Sequence, residues 1–427
     1  MSLRLTALGA LFSALFLFAA PLAQAQQTEI PRLQQAARAA ARDASAQRAL
    51  GIALLRAGRF REAQAALDRA ARLSRGSLDA LYDAARVSFA QGDHRASERA
   101  CRALSRLEKT APLTRVCNAR SDLVWNRSAR AFEELNAALA DDATNYEALL
   151  ALGDAHRLRA AVSEAESAYQ RASAARASEA DPHLGLGRLY AAAGRRDDAV
   201  RVLRRALELD ATYPDVQYEL GRLLGGTEEA RSLLERAVAG RPEWPEAQTA
   251  LGDSMRAASM LDRAEAAYRA AIAERSDHAP AHSGLGRTLA LRGDLAGAEA
   301  SLRRALELVQ NDPSSALALG DVLARTERVE EAFEQYRHAA DLDPASPEGL
   351  LRAARLAMEQ RRDVLATGFL DRLLERQPDL AAALALYGDA MMARRDRTAA
   401  RDYYTRALAG RGELDRAHVE EALAGLR

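Results

Sequence analysis

The chain has 427 residues, more than one ordinary hydrophobic core can organise, so its length asks for several domains or an array of small units. Sixty basic residues balance sixty acidic ones, which leaves no cationic surplus to displace counterions from phosphates and argues against a nucleic-acid binder. Apolar residues make up 48% and aromatics only 5%, so the apolar content is mainly Ala and Leu, and the composition predicts an all-α protein of closely packed helices.

Residues 1–25 read as a cleavable signal peptide. Arg4 supplies a positive start, Leu5 to Ala20 an apolar core, Pro21 a break, and Ala23-Gln24-Ala25 a small-x-small cleavage site. No Cys follows to carry a lipid, and no later stretch is long and apolar enough to span a bilayer. The expectation is a mature protein that is periplasmic or secreted. Residues 26–43, rich in Gln and Ala, read as a helical lead-in.

From 44 to 414 a single pattern recurs. One small residue repeats at Gly51, Ala85, Ala119, Gly153, Gly187, Gly221, Gly252, Gly286, Gly320, Ala354 and Gly388, every 34 residues except for one step of 31. Twelve residues after it stands Ala in most units (Ala63, Ala131, Ala165 and onward, with Ser97 the exception). In the regular units a bulky or sulfur-bearing apolar residue follows four places later, including Leu67, Cys101, Tyr169, Leu203, Tyr336 and Tyr404. The spacing predicts two antiparallel helices per unit, with small residues letting the axes approach and the bulky column filling the space beside them. Gly58, Gly92, Gly194 and Gly293 sit where a left-handed residue would end the first helix, and Pro242, Pro344 and Pro378 where the second must stop.

Two units depart from the pattern. The third (112–145) puts Asn118 and Asp122 at positions expected to be apolar, while Leu113, Val116, Leu123 and Val124 form a stripe shifted by about one place; this predicts a rotated first helix. The sixth (214–244) is three residues short around Leu224-Gly225-Gly226-Thr227, which predicts a local change of path. Residues 415–427, with Val419, Leu423 and Leu426 along one face, read as a capping helix.

These columns resemble the tetratricopeptide repeat family. The unit Pro313–Ser346 shows it best, with Leu319, Gly320, Leu323, Ala332, Tyr336, Ala339 and Pro344 in the matching places. The resemblance spans residues 44–414 and implies an α-solenoid: a right-handed superhelix of about eleven helix–turn–helix repeats whose first helices line a concave face. It also implies a non-enzymatic scaffold for protein–protein interaction, here placed in the bacterial envelope. In such proteins the residues three before and one after the small column meet peptides or helices. Carried over, the candidate contacts are Tyr82, Leu150, Leu184 and Tyr218, with Arg188 and Arg222 facing acidic side chains of a peptide or helical partner. The alternatives are that these side chains only pack between neighbouring helices, and that the Arg and Asp after the small column form a ladder of inter-repeat ion pairs. Other functional readings are a docking or regulatory subunit of an envelope enzyme or export complex, or a self-associating rod.

Cys101 and Cys117 are the only cysteines, on adjacent helices, and a disulfide between them fits an oxidising compartment. No catalytic, nucleotide or metal motif occurs, so no cofactor is expected. His278 and His282 are four apart, but Pro280 begins a helix between them and takes them off a common face.

Overall fold

The computed structural model describes residues 29–426, and every regular element among them is a helix, 24 in all. The expected signal peptide lies outside the described residues. The chain divides into two compact units between Ser254 and Met255. In the first, a single helix (Glu29–Ala39) precedes six hairpins. These pair Ala44–Arg56 with Phe60–Leu73, Leu78–Ala90 with His94–Leu107, Pro112–Val124 with Ser128–Asp141, Tyr146–Leu158 with Val162–Ala175, Asp181–Ala192 with Arg196–Leu209, and Pro214–Leu224 with Glu228–Gly240. The second holds four: Ala279–Arg292 with Leu295–Leu308, Pro313–Arg325 with Val329–Leu342, Glu348–Glu359 with Asp363–Arg376, and Ala381–Ala393 with Arg397–Ala409, then a last helix, Arg416–Ala424. Helices Pro245–Ala257 and Leu261–Glu274 carry the remaining repeat, the seventh in order, and the division runs through the first of them. The fold is an α-solenoid of helical hairpins.

Local chemistry sets the boundaries. Gly58, Gly92, Gly194 and Gly293 all have positive φ, as the turn between first and second helix requires. In several repeats the next residue opens the second helix: Asp93 accepts from the Ala96 amide at 2.8 Å and Asp294 from the Gly297 amide at 3.0 Å. Pro242, Pro344 and Pro378 each follow the residue that caps a second helix. The short sixth repeat has a first helix of 11 residues, ended by Gly225 at φ 67° and restarted by Thr227, whose hydroxyl accepts from the Ala230 amide at 3.1 Å.

The two principal columns meet across each hairpin. A Cβ placed on Gly153, Gly320 or Gly388 would come within 2.5 Å of the ring of Tyr169, Tyr336 or Tyr404, and one on Gly187 within 2.5 Å of Leu203. The bulky side chain therefore lies flat on bare backbone. Tyr occupies the bulky column in four repeats, and in all four the small residue is Gly and the next is Asp: Gly153-Asp154, Gly252-Asp253, Gly320-Asp321 and Gly388-Asp389. Three of the hydroxyls donate to that aspartate, Tyr169 to Asp154 at 2.8 Å, Tyr336 to Asp321 at 2.9 Å and Tyr404 to Asp389 at 2.6 Å, and the Tyr268 hydroxyl accepts from Arg256 at 3.4 Å. Where the small residue is Ala, the bulky partner is Leu at Ala119 and Ala354 and Cys101 at Ala85.

Within each unit, second helices pack between their own first helix and the next, and successive first helices also touch one another. Successive second helices have no comparable contact among the described residues, so grooves run between them.

The third repeat corrects the sequence reading. Its first helix buries Thr114, Val116, Cys117, Ala119, Ser121 and Asp122, the same phase as Ala80, Tyr82, Asp83, Ala85, Val87 and Ser88 in the repeat before. The helix is not rotated, and Val124 of the supposed stripe is exposed. Asp122 and Asn118 hold the standard phase because both find partners. Arg127 and Arg130 approach the buried Asp122 carboxylate at 3.6 and 3.7 Å, and Asn118 accepts from Ser105 at 3.3 Å. Cys117 is joined by a disulfide to Cys101 on the preceding second helix, with the Cα atoms 5.4 Å apart.

At the other end, Val419 and Leu426 are buried against Tyr404 and its neighbours, and His418 approaches Asp389 at 2.8 Å. The hydrogen bond and charge of Asp389 hold the His418 imidazole above its ordinary value near 6.5.

Three outcomes follow from this packing. Gly320→Ala should cost about 1–3 kcal/mol by driving a methyl into the Tyr336 ring, and Tyr336→Leu in the same chain should recover part of it, so denaturant titration of a double-mutant cycle should be non-additive. Reducing Cys101–Cys117, which closes a loop of sequence separation 16, should lower stability by about 3 kcal/mol; a disulfide-free unfolded chain recovered without reductant would contradict the bridge. Because the folded pKa of His418 is raised, its contribution is fully present below pH ~6.5 and fades as pH rises through the folded value. Hydrogen exchange of Arg416–Ala424 should therefore be slower at pH ~6 than at pH ~8 after correction for intrinsic rates, and His418→Gln should abolish the difference.

Candidate partner-binding face

The first helices of repeats one to six line one face, and ion pairs stitch it together. Arg48 reaches from repeat one to Asp83 in repeat two at 2.6 Å and to Asp79 at 3.3 Å. Tyr82 donates to Glu147, two repeats on, at 3.0 Å, and Arg176 approaches the other oxygen of the same carboxylate at 3.7 Å. Asp181 accepts from the Tyr213 hydroxyl at 2.7 Å and the Tyr146 hydroxyl at 3.4 Å. Arg188 bridges to Asp215 at 2.9 Å and Glu219 at 2.8 Å in the next repeat, and Arg222 meets Glu219 at 3.3 Å. Burial pushes the Tyr82 and Tyr146 phenols above their usual range, and neighbouring carboxylates add to the shift, so both remain donors.

Against this geometry the residues proposed from sequence fall into different places. Tyr82 is 2% exposed and serves Glu147. Leu150 and Leu184 are buried but line a cavity of about 380 Å³. Tyr218 is half-buried with its ring 4.6 Å from that of Trp244. Arg188 lines the cavity while holding its two carboxylates, and Arg222 lines a neighbouring pocket with Arg157 and Glu219. The structure thus brings Leu150, Leu184 and Arg188 together and leaves Tyr82 and Tyr218 outside the cavity wall.

Leu55 and Phe89 stand on this face, as their place four residues after the small column predicts, and together with Phe60, which no column marks, they give the cavity apolar surface; all three are partly exposed. Two further features were not anticipated. Arg120, on the same wall, makes no side-chain hydrogen bond or ion pair among the described residues, and its Nε is buried without an acceptor. Finally, the turn of repeat one reaches the last repeats of the unit. Arg56 pairs with Glu179, 123 residues away, and the Arg241 guanidinium stands 4.6 Å from the Phe60 ring and 4.4 Å from the Trp244 ring. Gly58 packs here on the Arg241 side chain, where a Cβ would lie 3.1 Å from its Cδ. No sequence periodicity could reveal this clasp. The Tyr–Asp coupling of the bulky column was readable, because Gly-Asp precedes every such Tyr by the same interval.

Among the described residues no group of His, Cys, Asp or Glu is placed to hold a metal ion, and no helix is long and apolar enough to cross a membrane.

Two family models, each described as Tetratricopeptide repeat, match the sequence, one over residues 48–111, 249–316, 284–347 and 317–381, the other over 180–223. No curated protein matches the chain. Among solved structures it is similar to a thermophilic TPR protein of Thermus thermophilus at 27% identity and a TM-score of 0.37, over 42% of this chain and 99% of that one. It is similar to pilF of Pseudomonas aeruginosa at 21% identity and a TM-score of 0.42, over 50% of this chain and 96% of that one. With yeast Tom70 the identity is 11% and the TM-score 0.45, over 90% of this chain and 94% of that one.

If Arg241 closes the first unit, Arg241→Ala should cost about 1–2 kcal/mol and open the edge of the cavity. In a Trp125→Phe background, where Trp244 is the only indole, acrylamide quenching should rise; unchanged quenching would mean that the clasp shields nothing.

Proposed function

The chain belongs to the tetratricopeptide repeat family, and from that premise we propose that it is a non-enzymatic scaffold of the bacterial cell envelope that takes a partner peptide or helix at the first-helix face of its N-terminal unit. Repeats of this family generally bind protein partners. The observation that carries the finer reading is the cavity, where partly exposed Leu55, Phe60 and Phe89 stand beside Leu150 and Leu184 under the unpaired Arg120. Apolar side chains flanked by a cation whose Nε lacks an acceptor suit a segment that offers an apolar anchor next to a carboxylate or a carbonyl. The neighbouring charges are already committed to one another, so the inter-repeat ion pairs hold the face in shape and leave recognition to these few residues.

Export rests on the apolar N-terminal segment and its cleavage site, and the Cys101–Cys117 bridge accords with an oxidising compartment. Fractionation followed by terminal sequencing should find a processed chain beginning at Gln26.

With a partner identified by crosslinking in envelope fractions, Phe89→Glu in the processed protein should weaken binding about tenfold or more, because a charge would have to be desolvated in the cavity. Unchanged affinity would remove the cavity from the binding site. Light scattering that showed reversible self-assembly lost in the same variant would favour the rod instead.

A further inference from the structure

The second unit carries a surface that the first-helix face does not account for. Between the second helices of repeats nine (Val329–Leu342) and ten (Asp363–Arg376) runs a groove of about 950 Å³. Phe333 and Phe369, ring centroids 5.7 Å apart and both buried, form its floor. Val364 and Leu365 stand at its rim, 78% and 38% exposed.

Three observations mark this groove as more than a gap between helices. In each of the other ten repeats the two residues before the second-column Ala or Ser are charged, small or hydroxyl-bearing, such as Asp197-Asp198, Glu228-Glu229, Glu330-Glu331 and Thr398-Ala399. Only repeat ten places two branched apolar residues there, facing water. Two places after the same alanine stands Gly368, in mid-helix, where glycine weakens a helix relative to alanine. A Cβ on Gly368 would meet nothing within 4 Å, so no contact inside this chain requires a bare backbone; what the glycine does is keep the groove open. The charges are equally uneven. Arg362 is spent on Glu330 and the Phe333 ring, and Arg372 on Asp341. Arg337, Arg361 and Arg394 line the groove, are exposed, and make no side-chain hydrogen bond or ion pair among the described residues; two carboxylates of the lining, Glu334 and Asp363, are equally uncommitted, which leaves the cations in excess.

We propose that the groove between the second helices of repeats nine and ten is a docking site for an acidic segment of a protein partner that inserts an apolar side chain over Gly368. The apolar side chain would cover Val364 and Leu365 and reach the Phe333–Phe369 floor, while carboxylates of the segment meet Arg337, Arg361 and Arg394. The site is independent of the cavity in the N-terminal unit, so one chain would engage two protein segments at once, which is a scaffold's task.

The test uses the processed, disulfide-intact protein and a short fluorescein-labelled polyglutamate peptide carrying paired leucines, followed by anisotropy at low salt. Two control peptides replace the leucines by serine or the glutamates by lysine. In a Phe89→Glu background, which closes the N-terminal cavity to such a segment, the expected result is binding of the first peptide only, weakened about tenfold or more by Gly368→Leu, which fills the groove, and by the Arg337→Glu/Arg361→Glu pair. Gly368→Ala separates a filled groove from a damaged fold: it should raise the denaturation midpoint and change the affinity only a few-fold. Equal binding of the serine or lysine peptide would overturn the proposal, as would an affinity indifferent to Gly368→Leu. Self-association of the peptide-free protein that Gly368→Leu abolishes would overturn it too, because a second copy would then be the occupant.

Discussion

The structure depends on one steric arrangement, the contact of a bulky side chain with nearly bare backbone across each hairpin. A glycine at the small column lets a Tyr ring or a Leu side chain lie directly on the facing helix, and that seat fixes how close the two axes come. Everything outside it inherits this spacing. The tyrosine version adds a second constraint, since a buried phenol must find an acceptor and the aspartate after the glycine supplies it. Asp321 and Asp389 then reach outward as well, to Arg352 in the next repeat and His418 in the last helix, so the packing of one hairpin is tied to the orientation of its neighbour.

Charge plays a supporting part. The residue after the small column is Arg or Asp in every repeat but the first, and the two residue types do different work. The aspartates answer tyrosines, and Arg188 and Arg222 answer acidic residues, Arg188 across to the first helix of the next repeat and Arg222 within its own helix. Most of these pairs are partly exposed and individually weak. Their effect is directional: they set the facing of each first helix, and with it which side chains remain at the cavity. Arg120 stands apart on this face because its neighbours are already engaged, and that makes it informative about what could enter.

How much could be read beforehand varied with the kind of residue. The hairpins, their order, the glycine turns and the proline stops were legible, because each rests on a local rule of backbone geometry repeated at a constant interval. The third repeat was misread. Asp122 and Asn118 looked foreign to a buried stripe, and hydropathy alone turned the helix about its axis; partners supplied by Arg127, Arg130 and Ser105 keep the original phase. Of the candidate contacts, Leu150 and Leu184 do line the cavity, whereas Tyr82 spends its hydroxyl on Glu147 beneath the surface. Position within a repeat specifies the face on which a residue sits, and the neighbouring repeats decide whether it is still reachable there.

The amino-acid order by itself determined the all-helical class, the length of the unit, the tyrosine–glycine–aspartate coupling and the unusual apolar pair of repeat ten, since all of these lie within one hairpin or in comparison of one hairpin with the next. Only the tertiary structure decided the clasp of Arg241 on Phe60 and the bridge from Arg56 to Glu179, and with them the enclosure of the cavity. The physical reason is accumulation. Small rotations from one hairpin to the next, each fixed by side chains too varied to sum from a pattern, bring residues more than a hundred positions apart into contact.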